Sequence, residues 1–276
     1  MILTQGTVFS GLRSKKYPDV RCYGIVITAR CDLFNSKVDK IFYLSALPYE
    51  KWLVSKVGAY ITLKKFLNEL EGNLNKGLGN YGFQWEILKT YSLKEFELTI
   101  LSTESGVKSD DQKKLKKQFE EYNHLILSIE EGRIREALNE KIHKIKKDVK
   151  NFISGGNTQF TFLPKKAFDK EVIINDLVVD HQELDYMTLD ELRAIVDCEI
   201  DIKNESLATD MKDSLDKKFF LKDDPGYSMV EATIQSPWVE YLLQRFANTF
   251  IRVGVDLSAD DKDIEKMLTI LLGGND

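Results

Sequence analysis

Two places in this chain gather side chains able to do chemistry. The first follows an apolar run, Cys22 to Thr28, and places Thr28, Arg30, Cys31 and Asp32 within five residues, with Arg21 just before the run. A cysteine becomes a nucleophile when nearby positive charge stabilises its thiolate, and Arg21 and Arg30 are the local candidates. No histidine lies close in sequence to act as its base. The alternative is structural: Cys31 as a small buried thiol, with Asp32 and Thr28 bonding the backbone of a turn. The second place is a segment opening at Ser236-Pro237-Trp238. There Arg245 and Arg252 are seven residues apart and share a helix face, with Gln244 and Asn248 beside them. Gln244, Arg245 and Arg252 could hold a phosphate or carboxylate, because guanidinium groups bind such ligands bidentately. The competing reading is a solvated face paired with acids such as Glu240.

Other chemistries find little support. The three cysteines, Cys22, Cys31 and Cys198, contain no CxxC pair, and the three histidines, His124, His143 and His181, lie far from them. No metal and no cofactor is therefore expected, and the thiols read as reduced. Gly72 to Gly82 is glycine-rich but lacks P-loop spacing, so a loop is expected there. The lysines between Lys141 and Lys150 alternate with apolar residues and are balanced by Glu130, Glu131, Glu136 and Glu140. With a net charge of −5, nucleic acid is a possible partner but a disfavoured one. No run reaches the roughly 18 apolar residues that would span a bilayer, and Met1 to Gly6 lacks the features of a secretory signal. A cytoplasmic location away from membranes is the expectation.

The 276 residues are 43% hydrophobic and 30% charged, enough for a sizeable core. Short strands predicted at Thr7–Phe9, Cys22–Thr28 and Val38–Leu47 suggest a small curled barrel over residues 1–58. Residues 59–156 read as a helical region. One apolar seam there is Leu115, Phe119, Tyr122, Ile126 and Ile129, and a second is Ile134, Leu138, Ile142, Ile145, Val149 and Phe152. Gly132 falls in the five-residue step between them, so either two helices fold back there or one helix shifts its stripe. Residues 157–276 read as a mixed α/β part, with strands at 159–163, 172–179 and 229–234 and a capping box at Thr188–Glu191. Residues 203–226 read as an exposed excursion. The part ends in two helices, the second (260–272) carrying Ile264, Met267, Leu268 and Leu271. The fold class predicted is α+β.

Two groups of motifs resemble known families. Gln5-Gly6-Thr7-Val8-Phe9, Gly24 to Thr28 and Cys31-Asp32-Leu33, taken with Ser236 to Glu240, Gln244-Arg245-Phe246 and Arg252-Val253-Gly254, resemble a bacterial family whose genes often sit among anti-phage defence systems. Gly6, Arg21 and the Ile25–Thr28 strand are also similar to the PemK/MazF-type toxin barrel, a ribonuclease family that uses an arginine and a threonine. Ser45 stands where that threonine is expected. Two functions follow as expectations. One is a non-enzymatic interaction or regulatory subunit of a defence or conflict system, joined through its seams to an operon-encoded protein or to its own copies. The other is a nucleic-acid or nucleotide-acting enzyme that uses the Arg21, Thr28, Arg30, Cys31 and Asp32 region.

Overall fold

The computed structural model describes residues 3–35, 37–84, 86, 90, 95, 98, 108–170, 174–197, 209–220 and 228–251. Among the described residues, six strands form one antiparallel sheet: β1 (Thr7–Leu12), β2 (Cys22–Val26), β3 (Lys40–Pro48), β4 (Phe160–Leu163), β5 (Leu177–Thr188) and β6 (Val230–Thr233). Their order is β4-β5-β3-β2-β1-β6, so the strands of the first half of the sequence form the centre and those of the second half flank them on both sides. The sheet curls into a half-barrel, not a closed one. Among the described residues, its edges meet where Phe168, beyond β4, bridges to Ile234, beyond β6. The α+β class is therefore what the chain adopts.

Period-two alternation builds the two sides of the sheet. On one side, Phe9, Cys22, Val26, Ile41, Tyr43, Leu47 and Val178 form the larger core with Trp52, Phe160 and Phe219. On the other, Val8, Ile25, Leu44, Ala46 and Val179 pack against Leu242, Trp238 and Phe246 of the helix Trp238–Ile251. Gly24 makes the first side possible. A Cβ there would stand 1.9 Å from Cζ of Phe9, whose ring lies over the glycine and meets Tyr43 edge-on at 5.4 Å. No side chain can share that space.

The connecting helices are α1 (Arg30–Phe34), α2 (Tyr49–Leu53), α3 (Lys56–Gly79), α4 (Ser109–Glu130), α5 (Ile134–Glu140), α6 (Ile142–Ile153), α7 (Leu189–Asp197), α8 (Thr209–Lys218) and α9 (Trp238–Ile251). The Ser55 side chain caps α3 by accepting from the Gly58 N–H at 3.0 Å. The glycine-rich stretch that reads as a loop continues this helix as far as Gly79. Gly77 has a packing reason to be there, since a Cβ would fall 2.6 Å from Cδ2 of Leu115 on α4.

The two seams also need correction, because the chain covers most of both by itself. Leu115, Phe119, Ile129, Ile134, Leu138 and Ile145 are all buried. Ala59, Leu63, Phe66, Leu67 and Leu70 of α3 supply much of the surface they pack on. Tyr122, Ile126 and Val149 are half-buried, whereas Ile142 stands out, at 54% exposed. In sequence the seams look unpartnered because their partner, α3, precedes them by some fifty residues. Gly132, with φ +80°, does break the helix, and a second break at Lys141 divides α5 from α6. The predicted excursion at 203–226 contains α8, and the strand expected to end at Val179 continues to Thr188. The helix expected at 260–272 lies outside the described residues.

Candidate functional site

A polar concavity lies where β5 departs from regular pairing. Leu44 pairs with Leu184, but Ser45 pairs with Asp180, so His181, Gln182 and Glu183 are extra residues on β5. Such a bulge re-aims side chains that a regular ladder would space evenly. Asp180 points into the larger core side and is wholly buried. It accepts from the Tyr17 hydroxyl at 2.8 Å and from Lys16 Nζ at 2.6 Å, and its other oxygen accepts from the Gln182 N–H at 3.0 Å.

These bonds pin the β1–β2 connection over the bulge. Ser14 starts the turn, accepting from the N–H groups of Lys16 and Tyr17 at 3.1 and 3.2 Å, and its own hydroxyl donates to Glu183 at 2.6 Å. Pro18 fixes the bend that follows, closed by Val20 N–H on the Tyr17 carbonyl at 3.1 Å. From the far side, the end of α8 joins β1: Leu12 bridges to Phe219, and Arg13 N–H donates to the Lys218 carbonyl at 2.7 Å.

Between these walls lies a cleft of about 530 Å³. Arg13, Lys15, Lys217 and Lys218 bring positive charge to it, Glu183 and Asp185 bring acceptors, and Tyr43 and Ser45 lie in its lining. Arg13 is held at its base: Nε donates to the Phe219 carbonyl at 2.8 Å and the guanidinium stacks on Phe220 at 4.1 Å. Lys218 reaches back to Glu191 at 3.0 Å. Burial opposes ionisation of Glu191, yet Ser214, the Thr188 N–H and Lys218 together hold it below the usual carboxylate range. Burial pushes the Tyr43 phenol well above its ordinary range, with the Asp185 charge next. Burial also raises the Cys22 thiol to about 12, helped by Glu183 and Asp180, so this thiol stays protonated and inert at neutral pH.

The residues singled out in the sequence end up elsewhere. Arg21 precedes β2, whereas Thr28 to Asp32 follow it, and five strand residues separate the two ends by about 16 Å. They are not one constellation. Thr28 Oγ1 accepts from the Phe42 N–H at 2.7 Å, and Arg30 Nε donates to Thr4 Oγ1 at 3.0 Å. Cys31 is exposed on the single turn of α1, with its thiol 3.6 Å from Asp32 Oδ1. Arg21 instead donates through Nη2 to the Phe220 carbonyl at 3.5 Å.

On α9, Gln244 is exposed, and Arg252 lies outside the described residues. Arg245 is a brace. Its guanidinium donates to Thr161 Oγ1 at 3.0 Å and to the carbonyls of Gly155 at 2.9 Å, Phe160 at 3.0 Å and Asn157. Four of the five N–H groups of an arginine are thus engaged within the chain, which leaves little to offer a free anion.

Beside it, His181 pairs through Nε2 with Thr161 Oγ1 at 2.8 Å and through Nδ1 with Thr249 Oγ1 at 2.8 Å. Nδ1 also lies 3.1 Å from the Thr158 carbonyl, which can only accept, so Nδ1 carries the proton and Nε2 accepts from the Thr161 hydroxyl. Burial, with the Arg245 charge adding to it, lowers the His181 pKa to about 4 against the opposing pull of the Thr158 carbonyl and the Asp180 charge. Reading the sequence alone overlooks Asp180, His181 and Tyr17 as functional or structural centres. The available signal is the run Val178-Val179-Asp180-His181-Gln182-Glu183, where a β-branched strand passes straight into titratable residues.

Among the described residues, no group of three or more His, Cys, Asp or Glu side chains is placed to hold a metal ion, and no helix is long and apolar enough to cross a membrane. Comparison with protein-family models, with curated proteins and with solved structures finds no match to this chain.

Proposed function

We propose that the protein holds a phosphate-bearing ligand, a nucleic-acid single strand, in the cleft over the β3–β5 bulge. The observation that carries this reading is the convergence of Arg13, Lys15, Lys217 and Lys218 on one cleft of a chain whose net charge is −5. Local basic charge on an acidic protein concentrates polyanions at one place and repels them elsewhere. The wall is also ordered before any ligand arrives, since Tyr17 and Ser14 tie its loop to Asp180 and Glu183. Preorganisation of this kind reduces the ordering cost of binding. Ser45, at the position where the toxin-barrel resemblance expects a threonine, is part of the same lining. Glu183 and Asp185 supply acceptors suited to ribose hydroxyls or base amino groups.

The test is binding of a fluorescein-labelled 12-nucleotide RNA, followed by anisotropy across a salt series. Lys15 and Lys217 are exposed, so the Lys15→Ala/Lys217→Ala variant keeps the fold. It is expected to weaken binding at least tenfold. It also lowers the slope of log Kd against log salt by about 1.4, or about 0.7 for each phosphate no longer neutralised. No saturable binding at low salt, or equal binding by the variant, would refute the proposal. The assembly-subunit reading keeps one supporting feature once its seams are covered, an apolar groove on the helical side.

A further inference from the structure

The fold leaves open a row of side chains that leads away from the cleft along β3 and β5. Register pairs Leu44 with Leu184 and Phe42 with Tyr186. Leu44 is buried in the core that α9 packs against, but Leu184, Phe42 and Tyr186 are 41%, 41% and 40% exposed. Large apolar side chains gathered on a surface in this way mark a binding place. Leu184 belongs to the lining of the cleft. Lys218, in the same lining, holds its Nζ 5.7 Å from the centroid of the Tyr186 ring. The open row and the cleft are therefore continuous.

The chemistry of this row selects its occupant. An added peptide strand would need free N–H groups along the outer edge of β5, past Asp180, where β4 stops pairing with it. The N–H groups of Gln182, Tyr186 and Thr188 already donate to the carboxylates of Asp180, Asp185 and Glu191, at 3.0, 2.7 and 2.7 Å. That edge offers a strand little, whereas ring faces and cations are on offer. The Phe42 and Tyr186 rings lie 6.2 Å apart between centroids at an angle of 59°, and Lys40 Nζ stands 4.2 Å from the Tyr186 centroid. Exposed aromatic rings with lysines among them suit nucleobases joined by phosphates. The backbone beneath is fixed in advance: Phe42 N–H donates to Thr28 Oγ1 at 2.7 Å, and its carbonyl accepts from the Ile27 N–H at 2.9 Å.

We propose that Phe42 and Tyr186 form a base-stacking platform, on which a strand leaving the cleft lays its unpaired bases. The inference rests on the cleft reading above and narrows it, because bases already paired in a duplex have no free face to stack. One base lies on the Phe42 ring, Tyr186 flanks it, and Lys40 meets the adjoining phosphate.

The experiment uses the full chain and two labelled probes, the 12-nucleotide RNA and a ribose-phosphate strand of equal length that lacks bases. Phe42→Leu/Tyr186→Leu removes the rings but keeps apolar side chains, whereas Phe42→Tyr/Tyr186→Phe keeps the rings. The leucine variant is expected to bind the RNA at least tenfold more weakly than wild type. Its slope of log Kd against log salt stays that of wild type, since no phosphate contact is lost. The base-free strand binds wild type and leucine variant alike, and the ring-keeping variant binds RNA as wild type does. Unchanged melting temperatures identify folded variants, and Phe42→Leu alone carries the test if the pair unfolds.

Wild-type RNA affinity in the leucine variant overturns the platform; the cleft reading still stands if Lys15→Ala/Lys217→Ala weakens binding. A loss that extends to the base-free strand, or that lowers the salt slope, also overturns it, because phosphate contacts would then be what was removed. So does an equal loss in the ring-keeping variant. RNA that fails to bind wild type at all overturns both readings together.

Discussion

Asp180 and His181 are neighbours on β5, yet they live in opposite chemical settings. Asp180 faces the side that opens onto the cleft, where it is tied to a lysine that is itself 25% exposed and to the Tyr17 hydroxyl. His181 faces the side sealed by α9, where Thr161, Thr158, Thr249 and the brace of Arg245 satisfy it without exposed charge. One bulge supplies both networks. The difference teaches how to separate a site from a strut: in the sealed network the donors and acceptors close on one another, whereas beside the open one lie basic groups that border solvent. Arg245 and Arg13 show the same contrast. The first engages four acceptors, while the second is anchored by Nε and an aromatic ring at the lip of a cleft.

Breaking the open network should have the largest effect. Asp180→Ala leaves the Tyr17 hydroxyl and the Lys16 ammonium without their acceptor, and removing one partner of a buried pair costs about 3 to 5 kcal/mol. The exposed part of Lys16 keeps the expected loss near the lower end. Urea unfolding at neutral pH measures it, and Asp180→Asn, which keeps an acceptor oxygen, should lose less. A loss below about 1 kcal/mol for Asp180→Ala would mean that Asp180 is not the pin of the cleft wall.

The sealed network is tested by pH. The folded-state pKa of His181, about 4, lies below its ordinary value of 6.5, so the unfolded chain takes up the proton first as pH falls. The stability tied to the neutral ring is therefore present above about pH 6.5. It declines between about 6.5 and about 4, by up to about 3 kcal/mol, and is level below that. His181→Gln removes this component, so the difference between wild type and variant across the window isolates it from the carboxylates. Parallel stability curves for the two proteins would show that His181 is not held neutral by the sealed face.

The same contrast marks what a sequence can reveal. Strands β2 and β3 are legible because Ile25, Val26, Ile41 and Leu44 are β-branched or apolar at the right spacing, and the Thr188–Glu191 capping box is legible because it is local. The covering of Leu115 and Ile145 by α3, and the pairing of Ser45 with Asp180, are not, since each joins residues far apart in the chain. Tyr17 illustrates the loss well. Its neighbour Pro18 announces a turn correctly, but nothing nearby in sequence shows that its hydroxyl ends on a carboxylate 163 positions away. The Thr28–Asp32 cluster misleads for the opposite reason: its residues are close in sequence, but α1 holds Arg30 to Asp32 on a surface turn, Thr28 bonds the backbone of β3, and β2 carries Arg21 away.

That cluster gives the smallest expected effect. Cys31 is exposed and its thiol makes a weak bond to Asp32, while Asp32 lies in the first turn of a five-residue helix. Surface substitutions of this kind usually change stability by no more than about 0.5 kcal/mol. Cys31→Ala and Asp32→Ala are accordingly expected to unfold in urea with wild-type midpoints and to bind the RNA probe as wild type does. A variant that kept its midpoint but lost RNA binding would move the functional centre from the bulge on β5 to the far end of β2. A variant that lost several kcal/mol would instead mean that α1 anchors the Val26 end of β2 more firmly than its one buried side chain, Leu33, accounts for.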